Sequence, residues 1–181
     1  MGCKALVTAI SSGPPKYGAA DGILWECNRS ALLPALVADL ERAAAEYAGR
    51  SEEPVRVISG ARTLRRQAEL MAPMTPEQLE ALYCRNGYPQ YIRDLVAIRG
   101  HDGAVTASQA YEVLIQRTEG YVSAHLSGAA VDLAVPQDDA HVAFLKELLA
   151  RHGFNVLDER SAGIPCIHAT HTASPLRIVK E

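Results

Sequence analysis

Apolar positions along this chain follow two rhythms. Between Ala31 and Tyr47 they recur at Leu32, Leu33, Leu36, Val37, Leu40, Ala43 and Ala44, the three-and-four spacing of one helix face. The β-branched run from Pro54 to Ser59 predicts a strand that delivers Arg62 to the start of a helix. Thr75-Pro76-Glu77-Gln78 reads as an N-cap, a proline at the first helical position and a capping-box glutamine, which opens a helix through about Cys84. Ala107 to Thr118 predicts another helix, with Glu119-Gly120 as a break behind it. Ala129 to Val135 is an apolar run of the buried-strand type. Asp139 to His152 predicts an amphipathic helix ended by Gly153, and Phe154 to Leu157 and Ile164 to Thr170 read as the last two strands. Ala5 to Ser11 is expected to be the first strand. The coarse layout is mixed α and β, and an α+β fold is the expectation.

One stretch departs from both rhythms. Asn86 to Gly103 is rich in Gly, Pro, Tyr and charge, so a loop is expected there. It lies between two blocks that carry chemistry, which suits an insertion or substrate-covering lid within residues 75–120. Tyr88, Tyr91 and Tyr111 are candidates to line it.

Composition narrows the class. A length of 181 residues, 48% hydrophobic and 22% charged, fits a single enzyme-sized domain spanning 1–181, and neither a repeat nor a low-complexity linker divides it. A net charge of −3 gives no basic face for nucleic acid. No window holds the run of about 18 apolar residues that a membrane span needs. Cys3, Cys27, Cys84 and Cys166 are scattered and form no Cys-x-x-Cys pair, unlike a disulfide framework. The apolar stretch after Lys4 is short for a secretory signal, so cytoplasmic synthesis is expected.

The chemistry concentrates in Ser123-Ala124-His125-Leu126-Ser127-Gly128-Ala129-Ala130-Val131-Asp132 and in Cys166-Ile167-His168-Ala169-Thr170-His171. Residues seven apart face opposite ways in a regular strand. His125 and Asp132 therefore face one metal ion only across a turn, and Gly128 suits that turn because it tolerates φ > 0. A carboxylate inside the apolar run 129–135 is costly unless it is paired or metal-bound. Two histidines and an aspartate suit zinc and leave a fourth position for water. The blander reading is a plain His125–Asp132 hydrogen bond. His168 and His171 face opposite ways along a strand, so only one is expected to ligate. Cys166 shares a face with His168, as a near-site residue. His101, His141 and His152 read as surface residues.

The pattern Ser-x-His-x-x-Gly-x-Ala-x-Asp at Ser123 to Asp132 resembles the zinc motif of the D-alanyl-D-alanine carboxypeptidase and dipeptidase family, whose fold is shared with the hedgehog signalling domain. Ile58-Ser59-Gly60-Ala61-Arg62-Thr63-Leu64-Arg65-Arg66-Gln67 resembles the family's Ser-Gly-x-Arg-(Ser/Thr)-x-x-x-Gln segment. Val156-Leu157-Asp158-Glu159 followed by Cys166-Ile167-His168 resembles its late acidic residue and final ligand. The blocks occur in family order from Val57 to Thr170.

The resemblance implies a hedgehog/DD-peptidase-like antiparallel sheet flanked by helices. It implies zinc held by His125, Asp132 and His168, with Arg62 gripping a substrate carbonyl or carboxylate and Ser123 near the substrate. Gln67 would support Arg62. Many members carry the general base three residues before the last histidine, where this chain has Pro165. Hedgehog-like members place it farther upstream, which makes Glu159 the expected base and Asp158 its neighbouring alternative. His171 is left as a donor either behind the ligands or at the reacting atoms. The implied activity is hydrolysis of D-alanine-containing cell-wall peptides, the peptidoglycan stem peptide or a D-Ala-D-Ala peptide. It would be exercised by a cytosolic dipeptidase or by a phage-type lysin released to the wall. A non-catalytic zinc-binding module that holds a peptide or protein partner is the alternative.

Overall fold

A computed structural model describes residues 22–84, 87–99, 103–118, 122–174 and 178–179. The expected strand at Ala5 to Ser11, the break at Glu119-Gly120, Cys3 and His101 lie outside the described residues. Five strands form one sheet: β1 (Ile23–Trp25), β2 (Val55–Ser59), β3 (Ala130–Ala134), β4 (Phe154–Asp158) and β5 (Cys166–His171), in the order β1-β2-β3-β5-β4. With six helices they make a single α+β domain.

The expected antiparallel sheet is mixed. β2, β3, β5 and β4 pair antiparallel, but β1 runs parallel to β2. Parallel neighbours need a long crossover between them. That crossover is α1 (Pro34–Ser51), whose 18 residues carry the chain back beside its starting strand. β1 was not legible because three residues are too few to show alternation. α1 begins at Pro34 rather than Ala31. Proline occupies its first turn, and Arg29–Ala31 forms a separate 3-10 turn capped by the side chain of Asn28.

Side-chain alternation gives the sheet two uses. Val55, Val57, Val131, Leu133, Ile167 and Ala169 point toward α1 and α6 (Asp139–Arg151), where they pack with Leu36, Leu40, Tyr47, Leu145 and Leu148. Their strand neighbours Asp132 and His168 necessarily point the other way. On that side stand α2 (Leu64–Met71), α3 (Pro76–Tyr83), α4 (Gln90–Ala97) and α5 (Ala107–Gln116), which share a second apolar cluster. Thr75/Gln78 and Thr106/Gln109 close reciprocal capping boxes on α3 and α5.

α4 occupies part of the stretch expected to be a loop. Its eight residues make only two turns, and the adjoining Gly87 and Pro89 hide the buried pair Ile92 and Leu95. Tyr91 is buried in that cluster, whereas Tyr88 is exposed and Tyr111 lies under the Arg65 guanidinium, 4.6 Å from the ring centre. Among the described residues no helix is long and apolar enough to cross a membrane.

The 3-10 turn Ala124–Ser127 joins the two halves. Ala124 packs with the sheet-side alanines Ala129 and Ala130, and Leu126 packs in the helical cluster. Gly128 ends this turn at φ +68°, and its carbonyl accepts a hydrogen bond from the Leu33 N–H at 3.1 Å. A Cβ at residue 128 would stand 2.6 Å from the Ala31 carbonyl oxygen. Gly128→Ala combines that clash with a left-handed backbone, so a loss of about 1–3 kcal/mol is expected. Calorimetry should show a melting temperature several degrees lower, and an unchanged value would show that the turn relaxes freely.

Candidate metal centre

β3 and β5 pair so that Asp132 stands directly opposite His168. The turn before β3 brings His125 over the same point. Three donor atoms converge: His125 Nε2 is 3.2 Å from Asp132 Oδ1 and 3.2 Å from His168 Nδ1, and His168 Nδ1 is 2.9 Å from Asp132 Oδ1. These atoms are close enough to share one metal ion.

The second ring nitrogens fix the roles of the first. His125 Nδ1 lies 2.7 Å from the Gly60 carbonyl, which can only accept, so Nδ1 carries the proton. Nε2 then presents a lone pair to the centre. Burial lowers the pKa of this imidazole, although the hydrogen bond with Asp132 opposes the shift, and the neutral form is the one that ligates. His168 Nε2 sits 2.9 Å from Thr170 Oγ1. Donation from Nε2 to that hydroxyl leaves Nδ1 as the ligating atom. Such outer partners set tautomer and ring orientation. Burial pushes the Asp132 carboxyl up, but while an imidazole proton is shared with it the hydrogen bonds to His125 and His168 outweigh burial and hold the group well below the usual carboxylate range.

Arg62 reaches the centre from the segment between β2 and α2. Its backbone N–H donates to the His125 carbonyl at 3.2 Å, so the two segments are tied together. Its guanidinium donates to Asp132 Oδ2 at 3.3 Å and to Gln67 Oε1 at 3.4 Å. Gln67 is fully buried and supports Arg62, as expected. Ser123 Oγ accepts from the His125 N–H at 3.4 Å and so caps the turn that carries this ligand. Val122, just before it, is buried at φ +64°. That is an uncommon conformation for a β-branched residue, held by its surroundings at the entry to the centre.

Glu159 and Asp158 diverge. The Glu159 carboxylate accepts from the Cys166 thiol at 3.4 Å, and its oxygen, that sulfur and an Asp132 oxygen lie within 4.8 Å of one another. Burial pushes the Cys166 thiol up, with Asp132 and Glu159 adding to the shift. Asp158 is instead taken up by Arg160, at 2.7 and 2.9 Å, and its carboxyl is held down to about 2 by that bonding.

His171 is not at the centre. It lies on the packing face of β5, where Nε2 is 2.8 Å from Asp39 Oδ2 on α1 and Nδ1 is 2.8 Å from Ser174 Oγ. Strand alternation forces this, because His168 and His171 are an odd number of residues apart. The expectation that His171 could act near the reacting atoms is therefore corrected. His152, just past α6, pairs with Glu46 on α1, and His141 on α6 pairs with Asp138 at the start of that helix.

Three neighbours of the centre were missed from the sequence. Thr170 could have been found, since it is two residues beyond His168 on the same strand face. The Gly60 carbonyl lies within the quoted arginine block but carries no side-chain signal. Tyr83, whose hydroxyl is 2.8 Å from Gln67 Nε2, looks like any other tyrosine in residues 75–120.

His125→Ala should abolish stoichiometric metal binding by elemental analysis. Asp39→Ala should keep it while costing about 1–3 kcal/mol, because the buried His171 loses a partner. Metal loss in the Asp39 variant would show that the His171–Asp39 bond helps to hold β5 in place at the centre. No protein-family model matches the chain, and neither a curated protein nor a solved structure matches it.

Proposed function

We propose that this protein is a zinc-dependent peptidase that hydrolyses D-alanine-containing cell-wall peptides, with the hedgehog/DD-peptidase type of fold. The observation that carries the reading is the triangle of His125 Nε2, Asp132 Oδ1 and His168 Nδ1, with edges of 3.2, 3.2 and 2.9 Å. Ligand bonds of about 2.0–2.2 Å to a tetrahedral ion imply donor separations of about 3.3–3.6 Å. A slight opening of the triangle would meet that requirement. Two imidazoles and one carboxylate suit zinc, whereas calcium and magnesium favour oxygen ligands throughout. Three protein ligands are also the number typical of catalytic zinc. The choice of D-alanine peptides rests on the Ser-x-His-x-x-Gly-x-Ala-x-Asp resemblance and on the arginine block that accompanies it.

A zinc ion held by these residues would supply Lewis acidity toward a carbonyl and make water a competent nucleophile near neutral pH. The chain supplies the rest. Glu159 accepts the proton of the attacking water and passes it to the leaving amine as the new C–O bond forms and the peptide C–N bond breaks. The Cys166 thiol holds one oxygen of that carboxylate and leaves the other to act. Arg62 is fixed by Gln67 and Asp132 and keeps further N–H donors for a carbonyl or terminal carboxylate.

Zinc-loaded protein should release D-alanine from a stem-peptide fragment. Glu159→Gln removes the base and keeps the size, so kcat should fall about 10²–10⁴-fold with zinc still bound. An unchanged rate in Glu159→Gln together with a lost rate in Asp158→Asn would move the base by one residue. Arg62→Lys keeps the charge but loses the planar fork, and activity should still fall. Full turnover in both Arg62→Lys and Arg62→Ala would make Arg62 purely structural. No hydrolysis by the zinc-loaded wild type would leave the peptide-binding module.

A further inference from the structure

Hydrogen-bond polarity around Gln67 singles out Tyr83. A guanidinium has no acceptor, so the Gln67 atom facing Arg62 must be the carbonyl oxygen. The amide nitrogen of Gln67 then faces Tyr83, and it can only donate. The Tyr83 oxygen is thus the acceptor of that 2.8 Å bond, and its own proton is not used in it. Among the described residues nothing accepts this proton. The hydroxyl is held where Arg62, Asp132 and Glu159 are the charged groups that act on it. Burial raises the pKa of the phenol, which keeps it protonated at neutral pH, with Arg62 pulling the other way. A tyrosine at the end of α3 is therefore fixed by its oxygen, with a spare O–H across the Gln67 amide from the arginine of the centre. Arg62 uses two of its five N–H donors, on Gln67 and Asp132.

On the peptidase reading, we infer that Tyr83 is a catalytic hydrogen-bond donor whose O–H, together with the remaining N–H groups of Arg62, holds the scissile carbonyl oxygen as it gains negative charge. A donor aimed at developing charge contributes to the chemical step rather than to substrate binding. The hydroxyl keeps its proton throughout, so Glu159 still carries every proton that moves.

Two variants of the full-length, zinc-loaded protein test this. Tyr83→Phe removes only the hydroxyl. Gln67→Glu keeps the hydroxyl but replaces the donating amide with a carboxylate that accepts from both Arg62 and Tyr83, which captures the phenol proton. Both are to be assayed for kcat and KM on a D-Ala-D-Ala peptide. Both are also to be titrated by calorimetry with a phosphinate analogue of that peptide, whose tetrahedral anionic group mimics the charged oxygen. Zinc stoichiometry equal to wild type shows that the centre is intact.

Loss of one such donor should lower kcat by about 10²-fold with KM unchanged and weaken the phosphinate by a comparable factor, in both variants. Wild-type kcat and phosphinate affinity in Tyr83→Phe would overturn the inference while leaving the peptidase reading in place. A raised KM at constant kcat would overturn it too, since the hydroxyl would then contact only the ground state. Wild-type behaviour of Gln67→Glu would refute the proton assignment. If the wild type hydrolyses no peptide, the peptidase reading fails, and the phosphinate titration alone decides whether Tyr83 binds an anionic oxygen.

Discussion

Two imidazole lone pairs and a carboxylate oxygen pointed at one another repel, and the structure depends on that repulsion being relieved. His125 Nε2 cannot turn its lone pair elsewhere, because the Gly60 carbonyl holds the other nitrogen as N–H. Asp132 cannot retreat, because it is fixed in a paired strand and its second oxygen is held by Arg62. A proton shared among the three groups relieves the repulsion in part. A cation relieves it for all three at once. The surrounding hydrogen bonds are therefore best understood as devices that keep electron pairs aimed at one point against their mutual repulsion.

The sheet makes this arrangement affordable. β3 and β5 give one face to the apolar layer under α1 and α6 and the other to the candidate centre. Val131 and Leu133 are fully buried on either side of Asp132, and Ile167 and Ala169 flank His168 in the same way. Errors in placing the ligands would have to disturb four core side chains. The second cluster, around α2 to α5, plays the matching part for Arg62, Gln67 and Tyr83. The centre lies where the two packed bodies meet, and the Ala124–Ser127 turn has a residue in each.

Local features were the ones legible in the sequence. The turn between His125 and Asp132 was announced by Gly128 and by an odd spacing, both within ten residues. The helices with capping boxes, α3 and α5, were announced by their own first turns. Alternation correctly separated His168 from His171. What it could not supply was the partner of His171, because Asp39 lies 132 residues away in sequence. The distinction between Glu159 and Asp158 was hidden for a similar reason, since it depends on Arg160 capturing one and Cys166 the other. β1 and α4 were too short to show a period. Tyr83 was invisible because its part depends on the direction of a neighbour's amide, which no residue pattern encodes.

The register between β3 and β5 has a consequence for how the protein matures. Asp132 and His168 face each other only in one alignment of the two strands. A slip by a single residue would set Ile167 or Ala169 opposite Asp132 and turn the imidazole into the oily layer. An ion bound by both side chains would therefore act as a latch on the correct alignment, rewarding one pairing over its neighbours. It would also act late, since the aspartate and the second histidine are separated by a helix and an entire strand that must be laid down first. During synthesis the nascent chain would hold no finished centre until β5 had docked, so assembly of the sheet and readiness to hold an ion would arrive in the same step.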